Sequence, residues 1–125
     1  MTQEEKDLLL KDLCARLPYD VKVEITYWAS SEGAAIDSTL DLDILQDFID
    51  SDGSTDIEPY LRPMSSMTEE ETLRFEGFKM KTINSINVPN NIGLIDWLNA
   101  HHFDYRGLIP MGLALEAPEG MYKID

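Results

Sequence analysis

This chain of 125 residues has one cysteine, two histidines and ten basic residues, and each shortage closes off a class of function. A single thiol, Cys14, forms no internal disulfide and supplies no cysteine-rich zinc set. It lies among Leu10, Leu13 and Leu17, where a thiol acts as a small apolar side chain. Cys14 is therefore expected to be buried and unreactive. Long apolar runs are also missing. The run near the start is only Leu8, Leu9 and Leu10, far short of the roughly 18 residues a membrane helix needs. Met1 is followed by Thr2, Gln3, Glu4 and Glu5 rather than by the basic start of a signal peptide. The expectation is a cytoplasmic chain that engages no membrane.

Positive charge is the scarcest commodity. Ten Lys and Arg face 24 Asp and Glu, a formal net charge of −14. Such a field repels nucleic acid and anionic lipid, so direct binding to either is not expected. The imbalance is local as well as global. Between Lys22 and Arg62 no basic residue occurs, while the same stretch holds ten acids: Glu24, Glu32, Asp37, Asp41, Asp43, Asp47, Asp50, Asp52, Asp56 and Glu58. Two readings compete for this stretch: a solubilising face, or a docking surface for a basic partner.

What is present reads as one α+β domain spanning residues 1–125, close to the usual size of a single core. Thr2 and Glu5 have capping-box spacing, and Leu9, Leu13 and Leu17 follow at helical intervals until Pro18 stops the helix. Val21, Val23, Ile25 and Tyr27 alternate with Lys22, Glu24 and Thr26, the period of a half-buried strand. Ser30 to Ala34 read as a loop. Leu40, Leu42 and Ile44 alternate with Asp41 and Asp43 and are assigned to a second strand paired as a hairpin, with a short helical turn after it. Asp50 to Asp56 form a polar loop, and Pro59 and Pro63 bracket Tyr60, Leu61 and Arg62, a piece that reads either as extended or as a strand edge. A second capping box, Thr68 and Glu71, opens a helix carrying Leu73, Phe75, Phe78 and Met80. A loop through Asn84, Asn87, Pro89, Asn90 and Asn91 leads to a third helix over about Ile92–His101, with Leu94, Trp97, Leu98 and His101 on one face. Asp104 is placed to cap a turn through Leu108 and Ile109, and Leu113 to Leu115 to form a closing strand. The resulting architecture is an N-terminal helix, a small antiparallel sheet, and two further helices packed on one face.

Three stretches carry a resemblance. Leu13-Cys14-Ala15-Arg16-Leu17-Pro18-Tyr19, the run from Pro59-Tyr60-Leu61-Arg62-Pro63 through Thr68-Glu69-Glu70-Glu71, and the run from Asp96-Trp97-Leu98 through His102-Phe103-Asp104-Tyr105-Arg106-Gly107 to Gly112-Leu113-Ala114-Leu115-Glu116-Ala117 together resemble a family of short uncharacterised proteins of gut bacteria and their prophages. They cover less than half of the chain. The resemblance implies a mobile-element setting and brings no catalytic residue or cofactor with it. The acidic middle lies outside it.

Chemistry-bearing constellations are sparse. Asp50-Ser51-Asp52-Gly53-Ser54-Thr55-Asp56 invites a calcium reading. Setting Gly53 at the sixth position of an EF-hand loop, however, puts Phe48 first and Pro59 twelfth, and neither is a ligand. His101 and His102 are neighbours rather than one turn apart, and with one thiol in the chain they make no zinc set. Ser65 and Ser66 lie just before a helix, and neither sits in a nucleophile elbow. No phosphate-binding glycine motif occurs. No metal, cofactor or catalytic residue is expected. Trp97, Phe103, Tyr105 and Arg106 form an aromatic and arginine group of the kind that builds binding hot spots and also cores. The candidate binding residues are these four together with Asp41, Asp43, Asp47, Asp50 and Asp52. The leading expectation is a non-catalytic accessory or adaptor that binds another protein through an apolar or aromatic patch, a basic partner being one option. The alternative is an inhibitor that mimics DNA charge, and a small enzyme built around His101 or His102 comes third.

Overall fold

A computed structural model describes residues 1–28, 33–51, 53–79, 81–83, 86–88 and 91–122, with backbone alone for 79, 81–83, 86–88 and 91–92. Ser30, Ser31, Glu32, Asp52, Met80, Asn84, Pro89 and Asn90 of the expectations above lie outside the described residues. Helix α1 (Gln3–Arg16) starts at the expected capping box. Glu5 N–H donates to Thr2 Oγ1 at 3.1 Å and Thr2 N–H to Glu5 Oε1 at 2.9 Å, so two free helix-end donors are satisfied at once. A 3-10 turn (Leu17–Tyr19) follows at Pro18. The buried face of α1 is Leu9, Asp12, Leu13 and Arg16, spaced three and four apart as one helical stripe. Cys14 lies off that stripe and is exposed, which reverses the expectation of a buried thiol.

Strand β1 (Lys22–Tyr27) pairs antiparallel with β2 (Ala34–Thr39) and, on its other side, with β3 (Thr55–Leu61). A short β6 (Leu115–Glu116) joins β3 in parallel, so the sheet runs β2-β1-β3-β6 and is mixed rather than purely antiparallel. The α+β class stands. The second strand is not Leu40–Ile44 but Ala34–Thr39, and the residues assigned to it begin helix α2 (Leu42–Asp50). The physical reason is Asp41, whose carboxylate accepts the Ile44 N–H at 2.8 Å and caps the helix start. Ile44, Leu45 and Phe48 then turn inward at helical spacing, while Leu42 is 70% exposed. The piece that Pro59 opens is extended, as the end of a strand flanked on both sides rather than a sheet edge. Pro59 sits opposite Val23, at a position whose N–H side faces away from β1, and β6 pairing begins only at Tyr60.

The inward face of the sheet, Val23, Ile25, Ile57 and Leu61, is fully buried against Leu9 and Leu13 of α1 and Leu45 and Phe48 of α2. Burying side chains of this size stabilises a fold by roughly 1.5–3 kcal/mol each. Helix α3 (Glu69–Lys79) begins at the second capping box, where Glu71 N–H donates to Thr68 Oγ1 and Thr68 N–H to Glu71 Oε1. Strands β4 (Lys81–Ile83) and β5 (Ile86–Val88) form a separate ladder, and α4 (Asn91–Ala100) follows. A second cluster joins Trp97, Leu98 and Phe103 to Phe75, Phe78, Met64 and Met67. Among the described residues no helix is long and apolar enough to cross a membrane.

Candidate functional site

The aromatic and arginine group divides by burial. Trp97 is 8% exposed and Phe103 not at all. Their rings lie 5.6 Å apart, with Arg62 stacked 4.2 Å from the Phe103 ring. Both are packing residues of the second cluster. Tyr105 and Arg106 are half-buried, and both serve an internal network. Arg106 Nε donates to Asp12 Oδ1 at 3.1 Å, Arg16 Nε donates to Asp12 Oδ2 at 2.7 Å, and Arg16 Nη2 donates to the Phe103 carbonyl. Tyr105 gives its hydroxyl hydrogen to Asn99 Oδ1 at 2.8 Å. A buried charge without partners is very costly, and Asp12 meets two guanidinium groups at 0% exposure. The group therefore fastens α1 to the segment after α4 and presents little free surface. The surface it does touch is a cleft of about 510 Å³ lined by Trp97, His101, Glu70, Glu71, Leu73 and Arg74. In its wall, Arg62 holds Glu71 through two donors at 2.7 and 2.8 Å. His101 is committed as well: Nδ1 lies 2.9 Å from the Trp97 carbonyl oxygen, and its ring is 4.8 Å from the indole.

The acidic candidates of the middle stretch separate too. Asp41 caps α2, and Asp43, Asp47 and Asp50 recur on its exposed face at intervals of four and three residues. Asp52 lies outside the described residues. Glu32 does too, and Glu24, Asp37, Asp56 and Glu58 gather elsewhere, on the outward face of the sheet. Glu24 of β1 is directly opposite Asp37 of β2 and Glu58 of β3, so three carboxylates form one row across three strands, about 4.8 Å per step. Two register steps away, on the same face, Asp56 is opposite Thr26.

Two aromatic residues frame this row. Tyr60 reaches along the sheet to donate to Asp37 Oδ1 at 2.8 Å, with Glu24 Oε2 at 3.4 Å. The bond to Asp37 and the surrounding negative charge push the Tyr60 phenol up to about 12, so it stays a donor at neutral pH. At the other end Trp28 Nε1 donates to Asp56 Oδ2 at 2.7 Å while 44% of the residue remains exposed. Its ring lies flat on Gly33, where a Cβ would come within 2.6 Å of Trp28 Cε3, so only glycine permits this seat. Partial burial, then Glu24 and Asp56, raise the Glu58 carboxyl above its ordinary value. Lys22, the one base in β1, donates from Nζ to Thr39 Oγ1 at 3.4 Å. Among the described residues none of the four carboxylates is in an ion pair.

The outward period of β1 already marked Glu24 as solvent-facing. The contributions of Trp28 and Tyr60 were missed, because Trp28 lies beyond the alternating run and Tyr60 reads as part of a proline-bracketed segment. Their shared signal is parity: Lys22, Glu24, Thr26 and Trp28 fall on one side of one strand. Among the described residues no set of three or more His, Cys, Asp and Glu side chains is arranged to hold a metal ion. No family model matches this chain, and neither a curated protein nor a solved structure does.

Proposed function

We propose that this chain is a non-catalytic accessory that binds a basic partner protein through the outward face of its sheet. The observation that carries the reading is the row Asp37, Glu24 and Glu58, in no ion pair among the described residues and held between Tyr60 and Trp28. Three carboxylates on adjacent strands repel one another, and like charges directly opposite in a sheet are destabilising. An arginine- or lysine-bearing surface relieves that repulsion on contact. Tryptophan and tyrosine are the residue types that dominate such contacts, and here both are already fixed by hydrogen bonds, which lowers the ordering cost of association. The resemblance to proteins of gut bacteria and their prophages adds a mobile-element setting to this reading.

One observation favours the second reading, an acidic mimic of DNA. Asp43, Asp47 and Asp50 form a stripe on α2 with about 6 and 4.5 Å of rise between them. That stripe lies on the helix layer, and the sheet row points away from the opposite side of the sheet, so the two acid sets do not add up to one field.

The test uses two variants and a partner purified after capture from host extract. The first, Glu24→Gln with Asp37→Asn and Glu58→Gln, should lose binding. The second, Asp43→Asn with Asp47→Asn and Asp50→Asn, should keep it. The reverse pattern, with binding that weakens steeply as salt rises, would establish the mimic instead.

A further inference from the structure

We infer that the free edge of β2 takes up an extended segment of the partner as an added strand, one that sets a basic residue beside Asp37 among alternating apolar residues. This rests on the reading above and specifies where and in what conformation the partner docks.

Strand β2 stands last in the sheet order, and among the described residues it pairs only with β1. The phase of its hydrogen bonds follows from one contact: Leu40 N–H donates to the Val21 carbonyl at 2.9 Å. Hydrogen-bonded pairs alternate along an antiparallel ladder, and Thr39 is opposite Lys22. Ser38, Ile36 and Ala34 therefore turn their backbone groups toward β1. Ala35, Asp37 and Thr39 turn theirs outward, as a row of N–H and C=O groups without a strand partner among the described residues.

Natural sheets blunt such an edge with proline, lysine, a bulge or a covering element. The β2 sequence Ala34-Ala35-Ile36-Asp37-Ser38-Thr39 has no proline and no lysine, and its pairing with β1 runs one to one without a bulge. Asp37 is the one charge on this edge, so like-charged strands are repelled while the edge stays a template for main-chain pairing with a strand of opposite charge.

The chemistry beside the edge selects the occupant. On the outward face an added strand meets Asp37, with Glu24 and Glu58 behind it in the same row. On the other face it meets Ile36, 51% exposed, with Tyr27 across from Ala34 at 36%. Since alternate residues of a strand point to opposite faces, one set of incoming side chains faces Ala35, Asp37 and Thr39, with Asp37 central and Lys22 held on Thr39 at the end, and the other faces apolar surface. A lysine or arginine beside Asp37, in a strand whose alternate residues are β-branched or otherwise apolar, satisfies both. A second copy of this chain fits poorly: it would set Asp37 and its neighbours against an edge of the same sign, between two molecules of net charge −14.

The probe is a blocked peptide of about nine residues alternating Lys and Val, a length within the usual range for a strand. Its control carries Glu in place of Lys. Binding is followed by NMR titration at low salt, with hydrogen exchange at the Ala35, Asp37 and Thr39 amides. The Lys peptide should bind and slow exchange at those three amides, and the Glu peptide should not bind. Ala35→Pro removes one outward N–H, breaks no bond to β1 and leaves every charge in place. It should weaken binding at least about tenfold. A Lys and Val peptide N-methylated at alternate residues makes the same test on the unaltered protein and should not bind.

Undiminished binding of the N-methylated peptide, with the three amides exchanging freely, would overturn strand addition. If the sheet-face variant still lost binding in that case, docking of a basic partner on the face would stand alone. Failure of the Lys peptide to bind at low salt also overturns strand addition, and the purified-partner titration then decides the docking reading by itself. Dimerisation of the free protein that Ala35→Pro abolishes would assign the edge to a second copy and overturn the stated occupant.

Discussion

Tyr122 shows how much one side chain fastens. Its hydroxyl accepts the Lys22 N–H at 2.9 Å and donates to the Tyr60 carbonyl at 2.7 Å, and its ring stacks 3.8 Å from that of His102. The start of β1, the end of β3 and the loop after α4 thus meet at one phenol. Burial pushes that phenol up to about 12, so it remains protonated across the working range of pH. His102 is the weak point of the arrangement. It adopts φ 65°, a conformation that Asn also tolerates. Burial and then the charges of Arg16, His101, Arg62 and Lys22 push its imidazole down to about 4. A histidine with a lowered pKa in the folded state binds its proton more readily when unfolded. Its contribution is therefore intact above about pH 6.5 and is lost as pH falls toward 4. The full shift, discounted because the ring is only partly buried, costs the fold about 2 kcal/mol. We expect urea midpoints of the native protein to fall between pH 6.5 and 4, and those of His102→Asn to fall less. Parallel curves would show that His102 does not couple to folding.

Cys14 separates what is legible at this scale from what is not. Leu8, Leu9, Leu10, Leu13 and Leu17 make α1 look apolar on several sides, and the true stripe includes the ion pair Asp12–Arg16 at 2.7 Å. A charged pair on a core face cannot be anticipated from periodicity, because charge ordinarily argues for exposure. The thiol is displaced to the exposed side as a result. A disulfide-exchange reagent should label native Cys14 nearly as fast as the denatured chain, and protection on the scale of global unfolding would contradict its placement. Asp104 was readable by contrast: its two carboxylate oxygens accept Leu108 N–H at 2.8 Å and Ile109 N–H at 2.9 Å, the local capping chemistry expected of an aspartate before a turn.

Among elements, α1 and α3 follow from their capping boxes and β1 from its alternation, because each signal is local. The region 34–50 misled because two periods overlap in it. Leu40, Leu42 and Ile44 alternate as a strand would, yet Leu45 and Phe48 complete a helical face. The capping bond from Ile44 N–H to Asp41 decides between them. β2 itself carries little alternation to read, since Ala34 to Asp37 are all exposed at a free edge. Removing the cap tests this account. Asp41→Ala should destabilise the protein by about 1 kcal/mol, and Asp41→Asn, which keeps a capping oxygen, by much less. Equal midpoints for the two variants in chemical denaturation would mean that the cap does not hold the helix start.

For the molecule as a whole, the number of acids was plain in the sequence, but their directions were not. Direction depends on strand register and on which residue opens α2, and both are settled by pairing rather than by composition. Of the acids considered as one docking group, Asp43, Asp47 and Asp50 belong to the exposed side of the helix layer, and Glu24, Asp37, Asp56 and Glu58 to the outward face of the sheet. Within the α2 stripe the charges are not equivalent. Asp43 stands in the first turn, where the helix dipole favours a negative charge, and Asp50 in the last, where it opposes one. Asp50 also accepts from Gln46 Nε2 at 3.0 Å, a bond that an asparagine oxygen can keep. We therefore expect Asp50→Asn to raise stability by about 0.3–1 kcal/mol at low salt, and Asp43→Asn to leave it unchanged or lower it slightly. The triple variant with Asp47→Asn should remain folded and retain most of the gain, because it also relieves repulsion along the stripe in a chain of net charge −14. Salt is the discriminating variable. The Debye length shrinks from about 10 Å at 0.1 M to about 3 Å at 1 M, so the advantage should fade over that range when urea midpoints of native and variant proteins are compared. A gain that survives 1 M salt would have to come from packing or from the unfolded chain, and the acids of α2 would then carry no electrostatic cost to the fold.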